Sequence, residues 1–413
     1  MSFNQYTWDL YKQTTIGIEM IKYFSDAGGY VLFKDYCPYA NFIPEDLYND
    51  WLENIYCYGV SDYDHPSSLE EAKDLYISLI TLGIRVEGQQ WLPANDFKNM
   101  LGIIQPMSYV LSQFAPEYFF PYLFLCRIFE LNKIADFFNI DLPNIPKRTD
   151  YKGRCMYYWE LCEVFYLFRK ENGLSPADLW SFLYDFAPNN LPSEKIDMPK
   201  PSQVWFIGGR LYQEDKSLES KFWQSSPETK KGDILVHYET SPISAITCIE
   251  TSLTDGVIDP LFRYYGCIYI GNRINIPHIT LKELQTDEYF FKHPLVRKNF
   301  QGVNGWSVNS ENYSELLRMI KTKGFDIEVL PKLYAPTLPK DVIIEYEHDV
   351  EQQLLEPLLN SMGWYENKDF IRQLPIQAGR GHRIFPDYAL HYGNKPNEER
   401  AKVLIEAKLC MRN

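Results

Sequence analysis

A change of periodicity at Val204 constrains this chain more than any single motif. Before it, apolar residues recur three and four apart, as in DLYISLITLGI and YLFLCRIFELNKIADFF, the spacing of one helix face. After it, QVWFIGG, DILVHYE, SAITCIET and GCIYIGNRI are β-branched and aromatic runs cut by Gly, Pro, Asp and Ser, the texture of short strands and turns. The polar stretch NNLPSEKIDMPKPSQ at 189–203 separates the two regimes, and LPKLYAPTLPKD at 330–341 makes a second break. The expected fold is α+β and multidomain. A helical domain occupies 1–190, and a small mixed β-barrel with two interleaved helical stretches occupies 204–325. One amphipathic helix, VEQQLLEPLLNSMGW, and several strands then build a partial α/β domain over 340–413.

Charge divides the chain along the same lines. The net charge is −14, and residues 1–203 carry 16 Lys and Arg against 27 Asp and Glu. Residues 204–325 carry 14 of each, and 326–413 carry 11 and 14. A uniformly basic nucleic-acid binder is excluded, but the two later segments can still meet phosphate through local basic clusters. The acidic helical domain points to a protein partner, and homodimerisation stays open. No run of 18 apolar residues is present, and the N-terminus lacks the basic flank and apolar run of a secretory signal. Eight cysteines without a CxxC pair argue against a zinc cluster or a disulfide framework. The expectation is a cytoplasmic protein with reduced thiols and no membrane association.

Within the helical part, the stretch from Tyr157 to Pro188 reads as helix, a turn at Asn172-Gly173, and a second helix capped by Ser175 with Pro176 in its first turn. A helix-turn-helix reader is the sharper interpretation. An antiparallel helix pair is the plainer one, because the second helix is rich in Trp and Phe and lacks base-reading Arg, Gln or Asn.

The chemistry concentrates near the C-terminal end of the sequence. IFPDYALHY and AKVLIEAKL flank a turn rich in Gly, Asn and Pro, and read as a hairpin centred between Pro396 and Asn397. Residues equidistant from that centre face each other, so Asp387 lies opposite Glu406. Lys408 shares their face, while Val403, Ile405 and Ala407 point to the core. Two neighbouring carboxylates repel, and a hard divalent cation relieves the repulsion while keeping most of its waters. Such an ion polarises a phosphodiester and acidifies bound water, and an adjacent ammonium orients that water and offsets developing charge. Phosphodiester hydrolysis fits this set better than acyl transfer, since no Ser or Cys nucleophile stands beside a His.

Pro386-Asp387 followed by Glu406-Ala407-Lys408 resembles the PD-(D/E)xK nuclease signature. The surrounding EYEHDVEQQLLEPLLNSMGW and IRQLPIQAGRGHRIFPDYAL are similar to the nuclease domain at the start of type I restriction R subunits. The resemblance implies a catalytic set of Asp387, Glu406, Lys408 and an acidic residue from the opening helix. Glu351 is the best-placed match, with Glu347 as the alternative. It also implies Mg²⁺ or Mn²⁺ on Asp387 and Glu406, and backbone phosphate near Arg380, His382 and Arg383. The family's domain continues past the lysine with a helix and a strand, whereas this sequence ends at Asn413. The expectation is therefore a truncated domain or one completed by a partner.

The segment 204–325 has a resemblance of its own. KKGDILVHYETSPISAITCIETSL, DPLFRYYGCIYIG and LKELQTDEYFFKHPLVRKNFQGVNGWSV are similar to EVE domains of the PUA-like superfamily, small barrels that accept a flipped, modified base. This implies base-binding residues among Trp205, Trp223, Tyr238, Trp306 and Asp255, with Arg297 and Lys298 on phosphate. For each aromatic, core packing is the plain alternative. Stacking a flipped base between aromatic faces contributes roughly 1–3 kcal/mol, and a buried methyl about 1 kcal/mol more.

Together the two resemblances imply a restriction endonuclease of a prokaryotic defence system that reads a modified cytosine in double-stranded DNA and cuts with Mg²⁺. Two alternatives stand beside it. One is a nuclease fragment of a type I-like complex that needs a motor partner, since no GxxxxGK[ST] is present. The other is a non-catalytic binder of modified DNA or RNA.

Overall fold

The computed structural model describes residues 3–38, 40–192, 198–211, 220–334, 342–379, 382–394 and 399–408. The chain forms two compact units. The first is Met1–Lys195 with Val257–Cys267, and the second is Ile196–Gly256 with Ile268–Asn413.

The first unit is mainly helical, for reasons visible in its sequence. The helix Leu69–Leu82 begins at Ser68, whose hydroxyl accepts from the Glu71 amide, and buries Ala72, Leu75, Tyr76, Leu79 and Ile80 on one face. Gly83 ends it at φ 77°, a conformation open to glycine at little cost. A two-stranded hairpin follows, β1 (Ile84–Val86) and β2 (Gln89–Leu92), turned by Glu87-Gly88, both at positive φ. The long helix Tyr151–Glu171 is followed by Pro176–Ser181, whose start is a capping box between Ser175 and Asp178. Leu179, Trp180, Phe182 and Leu183 are buried, so this second helix packs its apolar face into the core. The helical unit also holds the excursion Val257–Cys267. Arg154, fully buried, donates to the carbonyls of Pro260 and Phe262 and to that of Arg148.

The second unit is built on a sheet of β3 (Val204–Gly209), β4 (Ser220–Gln224), β5 (Ile234–Glu239), β6 (Ala245–Ser252), β8 (Gly266–Thr280) and β9 (Trp306–Val308), while β7 (Val257–Ile258) lies in the stretch assigned to the first unit. The order is β4-β8-β6-β5-β3-β9, with β7 paired to β8. The β3–β5 pair is parallel, and the pairs β5–β6, β6–β8 and β3–β9 are antiparallel. In place of the expected closed barrel the sheet is a curled half-barrel, and among the described residues its end strands β4 and β9 do not pair. Both faces are packed. Ile234, Val236 and Tyr238 of β5 enter a large cluster with Phe206, Ile246, Phe300 and Leu316, while Leu235 packs on the other face with Trp205, Ile207, Ile268 and Ile270.

After 342, a helical segment runs from Glu347 to Ser361. It packs Leu359 with Trp364, Phe370, Tyr388 and Leu390, against a three-stranded sheet of β10 (Phe370–Arg372), β13 (Tyr388–Leu390) and β14 (Val403–Ile405). A separate hairpin pairs β11 (Ile376–Gly379) with β12 (His382–Ile384). Within the unit this lobe is tied to the half-barrel by the ion pairs Lys230–Asp369, Lys402–Glu228 and, at 2.8 Å, Lys368–Asp255.

Candidate functional sites

In the C-terminal lobe, β13 and β14 pair antiparallel with Tyr388 opposite Ile405 and Leu390 opposite Val403. Carried one residue further, that register sets Asp387 opposite Glu406. The Asp387 carboxylate accepts from the Ala407 amide at 2.7 Å and from Gln373 Nε2 at 3.2 Å. The first of these bonds fixes it over the backbone between Glu406 and Lys408. Lys408 Nζ lies 3.0 Å from Glu406 Oε1 and 3.2 Å from Glu347 Oε1. The hydrogen bonds to Glu406 and Glu347 raise the Lys408 pKa, so the ammonium stays charged. The cluster faces solvent, with Lys408 62% and Glu406 55% exposed.

The opening helix therefore reaches Lys408 through Glu347, the alternative to Glu351. Glu351 sits where its charge reaches the Tyr388 phenol. Burial first, then Glu351 and Asp387 against the opposing Arg372, push that phenol up to about 12. The expected alternation on β14 holds in part. Ala407 is buried and Ile405 packs on the Leu359–Tyr388 cluster, but Val403 is 44% exposed. An open groove of about 370 Å³ beside the site is lined by Ile384, Phe385, Pro386, Leu404, Ile405 and Glu406. His382 and Arg383 are exposed on β12. Arg380 and the expected turn centre at Pro396-Asn397 lie outside the described residues.

The half-barrel disperses the five base-binding candidates. Trp205 is buried, with its indole N–H donating to Asp233 Oδ2 at 2.9 Å. Tyr238 stacks on Phe300 with ring centres 4.0 Å apart and planes 2° from parallel, inside the opposite core cluster that Trp306 also joins. These three rings do not form one cage. Asp255 accepts from the Lys231 amide and from Lys368. Although burial opposes ionisation, those two donors hold its carboxyl below the usual range. Arg297 and Lys298 stand exposed at the end of the short helix Pro294–Arg297.

Trp223 has different surroundings. Its indole N–H donates to Asn304 Oδ1 at 3.2 Å, and Asn304 is itself fixed by the Gly208 amide and carbonyl. Gly209 makes room for the ring, since a Cβ there would lie 2.6 Å from it. Beside the indole, β4, β5, β6 and β8 bring Lys221, His237, Cys248, Glu250 and Arg273 together. Glu250, 2% exposed, accepts from His237 Nδ1 at 2.8 Å and from Arg273 Nε at 2.9 Å, with Lys221 Nζ at 3.3 Å. Burial would raise its pKa, but His237, Lys221 and Arg273 hold it at about 2. Burial keeps His237 neutral, against the pull of Glu250, and lowers Lys221 as well. Among the described residues, His237, Cys248 and Glu250 are the one trio of metal-ligating side chains whose ligand atoms lie within 4.8 Å of one another.

The sequence reading passed over this cluster. The signal was present, since DILVHYE and SAITCIET each place an ionisable residue inside an otherwise apolar strand. Cation binding there is disfavoured, because Lys221 and Arg273 already occupy the carboxylate and burial pushes the Cys248 thiol up to about 12.

No protein-family model and no curated protein matches this chain. Among solved structures, a protein from Agrobacterium tumefaciens is 17% identical with a TM-score of 0.27, covering 32% of this chain and 100% of that one. A protein from Pseudomonas syringae is 17% identical at a TM-score of 0.25 over 28% of this chain and 98% of its own. A hypothetical protein from Leishmania major is 12% identical at 0.25, over 30% and 98%. At these scores the likeness carries no argument about this chain.

Proposed function

We propose that this protein is a modification-dependent endonuclease that reads a modified cytosine in double-stranded DNA and hydrolyses a phosphodiester in its C-terminal lobe. The observation that carries the reading is the β13–β14 register, which sets Asp387 against Glu406 with Lys408 bonded to Glu406 and Glu347. The donors suit Mg²⁺, being hard carboxylate oxygens on an open face where the ion keeps its waters. Asp387 and Glu406 would hold it, and when bound it would supply Lewis-acid polarisation of the phosphate and a more acidic water.

The remaining work falls to the chain. The Ala407 amide and Gln373 hold the Asp387 carboxylate in one orientation. Lys408, kept charged by its carboxylate neighbours, orients the attacking water and offsets charge on the phosphate. Glu347 positions Lys408. His382 and Arg383, exposed on β12, are the candidates for backbone phosphate. Incubating cytosine-modified and unmodified plasmid with the protein and Mg²⁺ tests the proposal. Modification-dependent cutting that disappears in Asp387→Asn supports it. Equal cutting of both plasmids removes the reading half, and no cutting of either removes the nuclease half.

A further inference from the structure

In the first unit the helices Glu45–Ile55 and Ile104–Phe114 pack together and share an open apolar groove of about 340 Å³. Leu52 and Tyr56 line one side, Tyr109, Val110 and Phe114 the other, and His65 joins them from the loop after Val60. The lining is held in place. Gly29 packs behind it, where a Cβ would lie 2.6 Å from Tyr109 and 2.7 Å from Leu52. The His65 ring stacks on Phe114 with centres 4.1 Å apart, and its Nδ1–H donates to the Phe114 carbonyl at 2.9 Å. Tyr56 opens a single π-helical turn: its carbonyl accepts from the Ser61 amide at 2.8 Å, and its side chain is 48% exposed. Such turns are uncommon in helices and concentrate at functional sites.

The charge around the groove has one sign. From Glu45 to Ser68 the chain carries Glu45, Asp46, Asp50, Glu53, Asp62 and Asp64 with no Lys or Arg, and the helix Ile104–Phe114 carries no charge. All six carboxylates are exposed. Their field repels a phosphate-bearing ligand, and it disfavours a second copy of a chain whose net charge is −14. A cationic ligand with apolar anchors matches both the field and the lining. We infer that this groove docks a partner protein through a short amphipathic helix, with Leu or aromatic anchors on one face and Lys and Arg on the other. A groove between two packed helices accepts a third in this way, the anchors supplying affinity and the opposed charges speeding encounter and selecting the partner. Docking there does not depend on whether the C-terminal lobe cuts DNA.

The test uses the full chain and a fluorescein-labelled helical peptide with leucines on one face and lysines on the other, followed by anisotropy. Saturable binding is expected, weakening about tenfold or more when serines replace the leucines or glutamates replace the lysines. Tyr56→Asp separates docking in the groove from attraction to an acidic protein at large. It adds a negative charge, so diffuse attraction would strengthen, whereas docking is expected to weaken about tenfold or more. Gln113→Trp, at an exposed lining position, fills the groove without changing charge and is expected to lose a similar factor while keeping the wild-type melting profile. No saturable binding, undiminished binding by either variant, or a serine or glutamate peptide bound as tightly as the original overturns the assignment. Sedimentation adds the last arm: self-association of the wild type that Tyr56→Asp abolishes would make the occupant a second copy, and the cationic partner would be ruled out.

Discussion

Replacing Glu250 with Gln keeps the shape of the side chain and removes its charge, which makes it the sharpest probe of the half-barrel. A carboxyl held at about 2, against an ordinary 4.5, contributes roughly 3 kcal/mol to folding at neutral pH. Being 2% exposed, it is little screened by solvent. The sign follows from the depressed value: the contribution is complete above the unfolded pKa near 4.5 and is lost as pH falls toward 2. The same size emerges from the side chains left behind, since breaking one partner out of a buried ion network costs about 3–5 kcal/mol. With a urea slope of about 2–3 kcal/mol/M for a unit of this size, the unfolding midpoint at pH 7 should drop by about 1 M. At pH 3.5 the difference from wild type should shrink to roughly 2 kcal/mol, because the wild-type carboxyl then gains less from ionising. Urea melts at the two pH values, followed by tryptophan emission, give both numbers. A midpoint unchanged at pH 7, or a loss of equal size at both pH values, would refute the claim that Glu250 is a buried anion held by Lys221, Arg273 and the His237 N–H.

Further outcomes follow from the same geometry. Lys408→Ala and Glu347→Gln should each cut modified-plasmid cleavage at least tenfold, with Glu351→Gln milder than either, as measured by initial rates on agarose gels. Tyr238→Ala should cost about 3–5 kcal/mol in a denaturant melt through loss of the Phe300 stack and its core volume, while any molecules that remain folded keep their preference for the modified plasmid. Asp255→Asn should leave that preference unchanged in the plasmid assay, because Lys231 and Lys368 already occupy its oxygens. Arg154→Met should lower the melting temperature in calorimetry, since it strands the Pro260 and Phe262 carbonyls in a dry interior at about 1–3 kcal/mol per group.

What the sequence disclosed was local, and what it withheld was mostly long-range. Period-2 alternation around IFPDYALHY and AKVLIEAKL sufficed to place Asp387 opposite Glu406, because hairpin register depends only on the turn between the strands. Helix caps at Ser68 and Ser175 were legible for the same reason. The aromatic candidates were dispersed because a Trp or Tyr in a strand serves core and ligand equally well, and only the sheet face decides between them. Trp205 and Tyr238 prove to lie on opposite faces. The membership of Val257–Cys267 in the helical unit had no sequence signature, since its partners, among them the buried Arg154 and the Pro146 carbonyl that Tyr265 donates to, lie about a hundred residues earlier. Lys221, His237, Glu250 and Arg273 come from four strands with no shared spacing, so no motif could gather them.

The two ionisable clusters differ in what they demand of an explanation. Lys408, Glu406 and Glu347 are exposed, and exposed ion pairs contribute little, about 0–1 kcal/mol each. Stability neither requires nor forbids them, so their meaning rests on geometry: Asp387 tied to the amide between Glu406 and Lys408 gives a directed set of oxygens where loose surface pairs would have none. The Glu250 cluster is the opposite case. Desolvating a carboxylate together with an ammonium, a guanidinium and an imidazole rarely improves on apolar packing of equal volume, and here it also leaves His237 Nε2 without a hydrogen-bond partner. A half-barrel selected for stability alone would favour Leu or Val at those positions, as its neighbours Leu235 and Ile270 show. The buried charges of the half-barrel are therefore the harder of the two clusters to explain by stability alone.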